Sequence, residues 1–164
     1  GLMTHDSFPS PPMRLRSLLP ALLLLIGAGS VAAATRETAP APLAIRVVKS
    51  PLCGCCQAWV DYLKTKGFTV TVEAREEFTA LKRANGVTAE LESCHTAFIN
   101  GYVVEGHVPA ELIKKLVETK PAGVKGIAVP GMPVGSPGME QGPPQRYTVY
   151  TFDAKGKATV FAQR

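Results

Sequence analysis

From residue 43 onward, hydrophobic and polar positions predict strands that alternate with helices. Apolar and β-branched residues fill positions 43–49, as in a buried strand, and a turn follows at residues 50–52. Apolar side chains then recur on one helical face over residues 55–66, before a glycine that suits a helix C-cap. Strict alternation of apolar and polar residues over positions 68–73 predicts a second strand. We therefore expect a right-handed βαβ unit with parallel strands.

The next segments predict a second helix, a hairpin and a third helix. Residues 76–84 carry apolar side chains at helical spacing. Two short strands, residues 96–99 and 102–105, flank Asn100-Gly101, a dipeptide that suits the positive φ angles of a type I′ turn. The third helix opens at Val108-Pro109, with proline at an early position and an apolar stripe behind it.

The predicted order over residues 43–119 is β-α-β-α-β-β-α, which is the order of a thioredoxin-like core. We therefore predict an α/β fold of this class. Residues 121–146 are rich in Gly and Pro, and we expect a packed functional loop without regular structure there. Residues 147–152 and 158–161 predict a C-terminal β-hairpin added to the core.

The N-terminal segment has the pattern of a signal peptide over about residues 13–34. Arg14 and Arg16 precede a leucine-rich run too short to span a bilayer, and small residues follow up to Ala34. A retained membrane anchor is the alternative, although the residues after the run are small rather than basic. We expect upstream residues and a signal peptide over 1–34, a linker over 35–42, and a periplasmic domain over 43–164 with no stable membrane anchor after cleavage.

Composition narrows the function classes. The chain has 164 residues, 46% hydrophobic and 19% charged, which suits one globular domain. Its net charge is +5, but lysines and arginines are spread over several predicted elements, so we expect no nucleic-acid partner. The sequence also lacks a Gly-rich phosphate loop, a Ser-His-Asp set and a paired-carboxylate signature with usable spacing.

The chemistry of the chain is concentrated in its cysteines. Cys53, Cys55 and Cys56 lie within four residues, and neighbours this close cannot join distant parts of a fold, so their spacing argues against a disulfide framework. In the predicted fold they lie at the start of the first helix, where free N–H groups stabilise thiolates. Cys94 comes just before a strand, and we expect its sulfur to face the other three, although a buried free cysteine can also be a small hydrophobe.

Converging thiolates repel one another, and soft cations neutralise them. Because thiolates bridge ions, we expect a multinuclear Cu(I) site rather than a mononuclear or structural zinc site. The alternative function is a thiol-disulfide oxidoreductase in which Cys53 attacks and Cys56 resolves. We expect a metal-binding protein rather than an enzyme, with copper or thiol redox activity left open.

Two histidines and two methionines are candidate additional ligands. His95 can bind a metal, orient a cysteine or be a structural group. His107, in the turn after the hairpin, is more typical of a capping or surface group. Met132 and Met139 offer thioethers that suit Cu(I), but they can equally pack the Gly/Pro-rich loop as apolar plugs.

Four segments, residues 49–56, 93–96, 101–109 and 131–139, together resemble the CopG family of periplasmic copper-resistance proteins, long catalogued as a domain of unknown function. The resemblance covers nearly all of the mature chain. It implies a thioredoxin-like fold whose cysteines, here Cys53, Cys55, Cys56 and Cys94, bind a cluster of copper ions. It also implies a setting of copper export and detoxification, with a copper exporter or another periplasmic copper carrier as partner.

Overall fold

A computed structural model describes residues 43–164, so the predicted signal peptide and linker lie outside the described residues. The helices and strands are β1 (Leu43–Lys49), α1 (Gly54–Thr65), β2 (Phe68–Ala74), α2 (Thr79–Ala84), a 3-10 turn (Ala89–Leu91), β3 (His95–Ile99), β4 (Tyr102–Glu105), α3 (Ala110–Thr119), β5 (Gly126–Ala128), β6 (Thr148–Phe152) and β7 (Ala158–Gln163). The α/β class is confirmed, and the predicted order β-α-β-α-β-β-α is observed through α3. No helix in this part of the chain is long and apolar enough to cross a membrane.

All seven strands form one mixed sheet in the order β2-β1-β3-β4-β5-β6-β7. β1 and β2 are parallel, as predicted, whereas β1 and β3 are antiparallel. β3 and β4 form the predicted hairpin, and Asn100 (φ 47°) and Gly101 (φ 83°) both have the positive φ that a type I′ turn requires. β6 and β7 form the predicted C-terminal hairpin. β5 joins this hairpin to the rest of the sheet.

The prediction that residues 121–146 hold no regular structure was wrong at β5. This strand has only three residues, too few to show a periodic pattern. Its first residue, Gly126, lies so close to β4 that an added Cβ would be 2.5 Å from the carbonyl oxygen of Val103. The glycine that indicated a loop therefore permits the strand to pack.

Two apolar clusters stabilise the sheet. In the larger one, α1 contributes Trp59 and Leu63, and α3 contributes Ile113 and Leu116. The smaller one contains Val87, Leu91, Val103, Ala128 and Phe152. Since Val103 and its neighbour Val104 belong to different clusters and successive strand residues point to opposite faces, the clusters lie on opposite faces of the sheet.

Two leucines, one buried in α1 and one exposed in the turn before it, provide a test of this core. Leu63 is 0% exposed, whereas Leu52 is 91% exposed. We expect Leu63→Ala to lower the free energy of unfolding by about 2–5 kcal/mol, because it removes buried methyl groups and leaves a cavity. Leu52→Ala is the matched control and should change it by no more than about 0.5 kcal/mol. Urea denaturation measures both, and equal effects would contradict the assigned core.

Candidate metal centre

The pairing of β1 with β3 brings the two cysteine-bearing segments together. Lys49, the last residue of β1, is directly opposite His95, the first residue of β3. The chain that follows β1 leads into Cys53 and α1, and the residue that precedes β3 is Cys94. Both segments therefore leave the sheet at the same end.

The four cysteine sulfurs lie within 4.8 Å of one another. Cys53 and Cys56 form a disulfide, and Cys55 and Cys94 are free. The Cys55 Sγ is 3.5 Å from the Cys53 Sγ. The structure thus brings together all four predicted cysteines, but a set of four thiolates requires the disulfide to be reduced. Their role as metal ligands stays a prediction.

The start of α1 supplies a favourable field for thiolates. Cys53 is the N-cap residue, and its sulfur accepts a hydrogen bond from the Cys56 backbone N–H at 3.3 Å. The first turn of α1 contains no acidic residue. Because the N-terminus of a helix carries a partial positive charge, this end of α1 stabilises negative charge on sulfur after reduction.

Cys94 lies between two histidine rings. Its Sγ is 3.3 Å from His95 Nδ1 and 3.1 Å from His107 Nε2. His107 Nδ1 is 2.8 Å from the Pro137 carbonyl oxygen, which can only accept, so Nδ1 carries the proton and Nε2 presents its lone pair to Cys94. His107 is 0% exposed, so its interpretation as a capping or surface group was wrong. Packing of the later loop buries it, which no local pattern around the residue indicates.

Both histidines are favoured in the neutral form that metals bind. Burial lowers the pKa of His95 well below its usual value, and electrostatic interactions with the neighbouring His107 ring and with the Lys82 ammonium lower it further. Burial also lowers the pKa of His107, although the hydrogen bond to Pro137 opposes this shift. His95 Nε2 is buried and has no hydrogen-bond partner among residues 43–164. Together, Cys94, His95 and His107 form a second group of possible ligands that shares Cys94 with the cysteine cluster.

The Gly/Pro-rich loop packs over this region. Gly138 (φ +85°) lies so close to α1 that an added Cβ would be 2.8 Å from the backbone nitrogen of Trp59 and 2.9 Å from the backbone carbonyl oxygen of Cys55. At the other end of the loop, the Gly131 N–H donates to the Glu92 carbonyl at 2.9 Å. Met132 is 51% exposed and Met139 is partly buried, and ligation by either methionine stays a prediction.

Sequence reasoning missed a buried ion pair behind Cys94. Lys82 and Glu105 have side chains only 4% and 0% exposed, and their charged groups are 2.5 Å apart. Burial raises the pKa of Glu105, whereas the Lys82 ammonium opposes this shift. A lysine in a short amphipathic helix usually indicates a solvent-facing position, and nothing in the pattern of residues 76–84 distinguished this one.

The environment of Cys94 predicts an unusual pH dependence for the rate at which its thiol is alkylated. Burial, with a smaller contribution from Cys55, raises the pKa of the Cys94 thiol to about 12. In the metal-free protein, the rate of Cys94 alkylation should therefore still rise about tenfold per pH unit between about pH 9 and 10, where an ordinary thiol with a pKa of about 8.5 levels off. Iodoacetamide labelling read by peptide mass spectrometry, with glutathione as the reference thiol, measures this. A rate that levels off alongside glutathione would contradict the burial of this thiol.

Comparisons with known proteins agree with the motifs. A family model described as "Protein of unknown function, DUF411" matches residues 91–139. Two solved structures, titled "Copper resistance protein copG- Form 2" and "Copper resistance protein copG- Form 1", are each 46% identical to this chain with a TM-score of 0.71. Both alignments cover 76% of this chain, and they cover 99% and 98% of the respective structures. A search of curated proteins finds no match. The predicted resemblance is confirmed, and the chain belongs to the CopG family of copper-resistance proteins.

Proposed function

We propose that this protein binds Cu(I) in a multinuclear site formed by the thiolates of Cys53, Cys55, Cys56 and Cys94, and so contributes to copper resistance. The observation that carries the proposal is the approach of all four sulfurs to within 4.8 Å of one another. The two related structures are named as copper resistance proteins, which agrees with a soft-metal cargo.

The donor set favours more than one ion. Four sulfurs already complete the tetrahedral shell of a single zinc ion. Here Cys94 also approaches two histidine nitrogens at 3.3 and 3.1 Å, so it belongs to two groups of donors at once. A sulfur in that position is suited to bridge two ions, and thiolate bridging is typical of Cu(I). His95 and His107 are the proposed additional ligands, and Met132 and Met139 are candidates from the covering loop.

The copper-binding form requires reduced cysteines. Reduction of the Cys53–Cys56 disulfide by an external dithiol takes two electrons and two protons and yields two thiols, while the dithiol becomes a disulfide. Each thiol then releases its proton when its sulfur binds copper. The redox state of this pair therefore controls how many thiolates are available to copper.

The sequence pattern and the family support a periplasmic setting. We propose that a signal peptide over about residues 13–34 directs the chain to the periplasm, with the linker over residues 35–42 and the binding domain over residues 43–164. Oxidising conditions there make the disulfide form accessible. A copper exporter or another periplasmic copper carrier would receive the bound ions.

Anaerobic titration with Cu(I) tests the proposal. The reduced protein should bind at least one equivalent, more than one if the site is multinuclear, with ultraviolet thiolate-to-copper charge-transfer absorption. Cys55→Ser should lower the stoichiometry and weaken competition against a Cu(I) chelator by about tenfold or more, because it removes a ligand that no disulfide holds. Thr65→Ser is a control on the exposed end of α1 and should bind as the wild type does. Equal copper binding by Cys55→Ser would contradict a site that uses this sulfur.

A second candidate function, disulfide exchange, is favoured by the disulfide itself. Cys53 is at the helix N-terminus and is paired with Cys56, as in a C-x-x-C oxidoreductase. The Cys53 thiolate would attack a substrate disulfide, and Cys56 would resolve the mixed disulfide, which leaves the pair oxidised and the substrate reduced.

Insulin reduction with dithiothreitol as the electron donor distinguishes this function from copper storage. An oxidoreductase should accelerate the reaction in the wild type and in Cys55→Ser, but not in Cys53→Ser, which lacks the attacking sulfur. An inert wild-type protein would remove this candidate and leave the copper proposal intact.

A further inference from the structure

We infer that the buried Lys82–Glu105 pair is a positioning device that holds Cys94 in ligand geometry. This inference rests on the proposed function, because it concerns one of the proposed copper ligands. Neither residue is itself a candidate ligand. The two act on the short backbone segment that carries Cys94 and His95.

The Glu105 carboxylate holds this segment on both sides of the pair Cys94-His95. Its Oε1 accepts a hydrogen bond from the Ser93 backbone N–H at 2.7 Å. Its Oε2 accepts one from the Thr96 hydroxyl at 2.6 Å. A single buried carboxylate therefore fixes the residue before Cys94 and the residue after His95.

Lys82 completes the arrangement from α2. Its ammonium donates to Glu105 Oε1 at 2.5 Å, to the Thr96 hydroxyl at 3.0 Å and to the Ser93 carbonyl at 3.1 Å. These three bonds use all three N–H donors of a lysine, so none remains for a cysteine sulfur. Lys82 thus supports the Cys94 segment through the segment's own backbone and neighbours.

Burial of this pair is poorly explained by stability alone. Both side chains are at least 96% buried, and the desolvation of two such charges offsets much of their attraction. An apolar pair of similar volume is often no less stable in such a position. An apolar pair, however, cannot form hydrogen bonds to Ser93 and Thr96. These hydrogen bonds are therefore the function of Lys82 and Glu105 at this position.

Two double variants distinguish the effect of these hydrogen bonds on Cu(I) affinity from the effects of charge and side-chain volume. In Lys82→Met/Glu105→Gln, the neutral amide can still accept from the Ser93 N–H and donate to the Thr96 oxygen. In Lys82→Met/Glu105→Leu, both bonds are lost. We expect the leucine variant to bind Cu(I) about tenfold more weakly, in the range usual for groups that orient metal ligands, and the glutamine variant to retain most of the affinity. Equal affinities in the two variants would overturn the inference.

A cycle with Cys94→Ser shows whether the pair acts through Cys94. If it does, Lys82→Met/Glu105→Leu should weaken Cu(I) binding about tenfold in the wild-type background but not further in Cys94→Ser. The same loss in both backgrounds would indicate general loosening of the fold and overturn the inference. Glu111→Leu/Arg164→Met, which removes an exposed ion pair of 3.3 Å, is the control and should leave binding unchanged.

A measurement on the metal-free protein keeps this test independent of copper. Release of the Ser93–Thr96 segment should raise the alkylation rate of Cys94 several-fold in the leucine variant and little in the glutamine variant, at one fixed pH. If the wild type bound no copper, the proposed function would fail, but this rate would still support or overturn the positioning role. If circular dichroism shows that the leucine variant does not fold, Thr96→Val takes its place. This substitution removes the hydrogen bond from the Thr96 hydroxyl and keeps the side-chain shape, and it should also raise the alkylation rate of Cys94.

Discussion

The antiparallel pairing of β1 with β3 determines where the sulfurs of this protein lie. With Lys49 opposite His95, the chain leaves β1 toward α1 at the point where it enters β3 from Cys94. A shift of one residue in this register would turn every side chain of β3 to the other face of the sheet. Cys94, His95 and the disulfide pair would then no longer share a site. The proposed metal site therefore depends on strand register before it depends on any individual ligand.

The two halves of the site are fixed in different ways. On the α1 side, the start of the helix sets the spacing of Cys53, Cys55 and Cys56, and two of these sulfurs are joined in a disulfide while Cys55 is free. On the β3 side, Cys94 lies between two histidines that are neutral, and the pKa of its own thiol is raised. The metal-free site therefore carries little negative charge there. Repulsion among four sulfurs is thus avoided until a cation arrives. If Cys94 binds a metal as proposed, its thiol has to release a proton at that step.

Local patterns predicted the parts of this fold that local chemistry controls. The alternation in β2 and the Asn100-Gly101 turn follow from side-chain period and positive φ, and both were predicted correctly. The same reasoning placed the cysteines at the start of a helix and Cys94 opposite them. It missed β5, the burial of Lys82 and the burial of His107, because each depends on a partner distant in sequence: β4, Glu105 and Pro137 respectively. From sequence alone, a polar residue is expected at the surface, and only its buried partner shows that it lies in the interior.

These missed residues explain how a partly accessible site can be fixed in place before any ligand binds. Cys53, Cys55 and Cys94 are partly accessible, and accessible loops usually lose conformational freedom when they bind. Here folding has already fixed the segments around them: the Lys82–Glu105 pair secures the approach to β3, and His107 joins that side to the covering loop through Pro137. In the proposed copper site, the cost of ordering the ligands would therefore be met by the folding of the domain rather than by copper binding, which is the physical basis of preorganisation. In the proposed site, the buried polar contacts behind Cys94 therefore act together with the burial of Cys56, His95 and His107: they hold the proposed ligands in place while Cys53, Cys55 and Cys94 stay within reach of solvent.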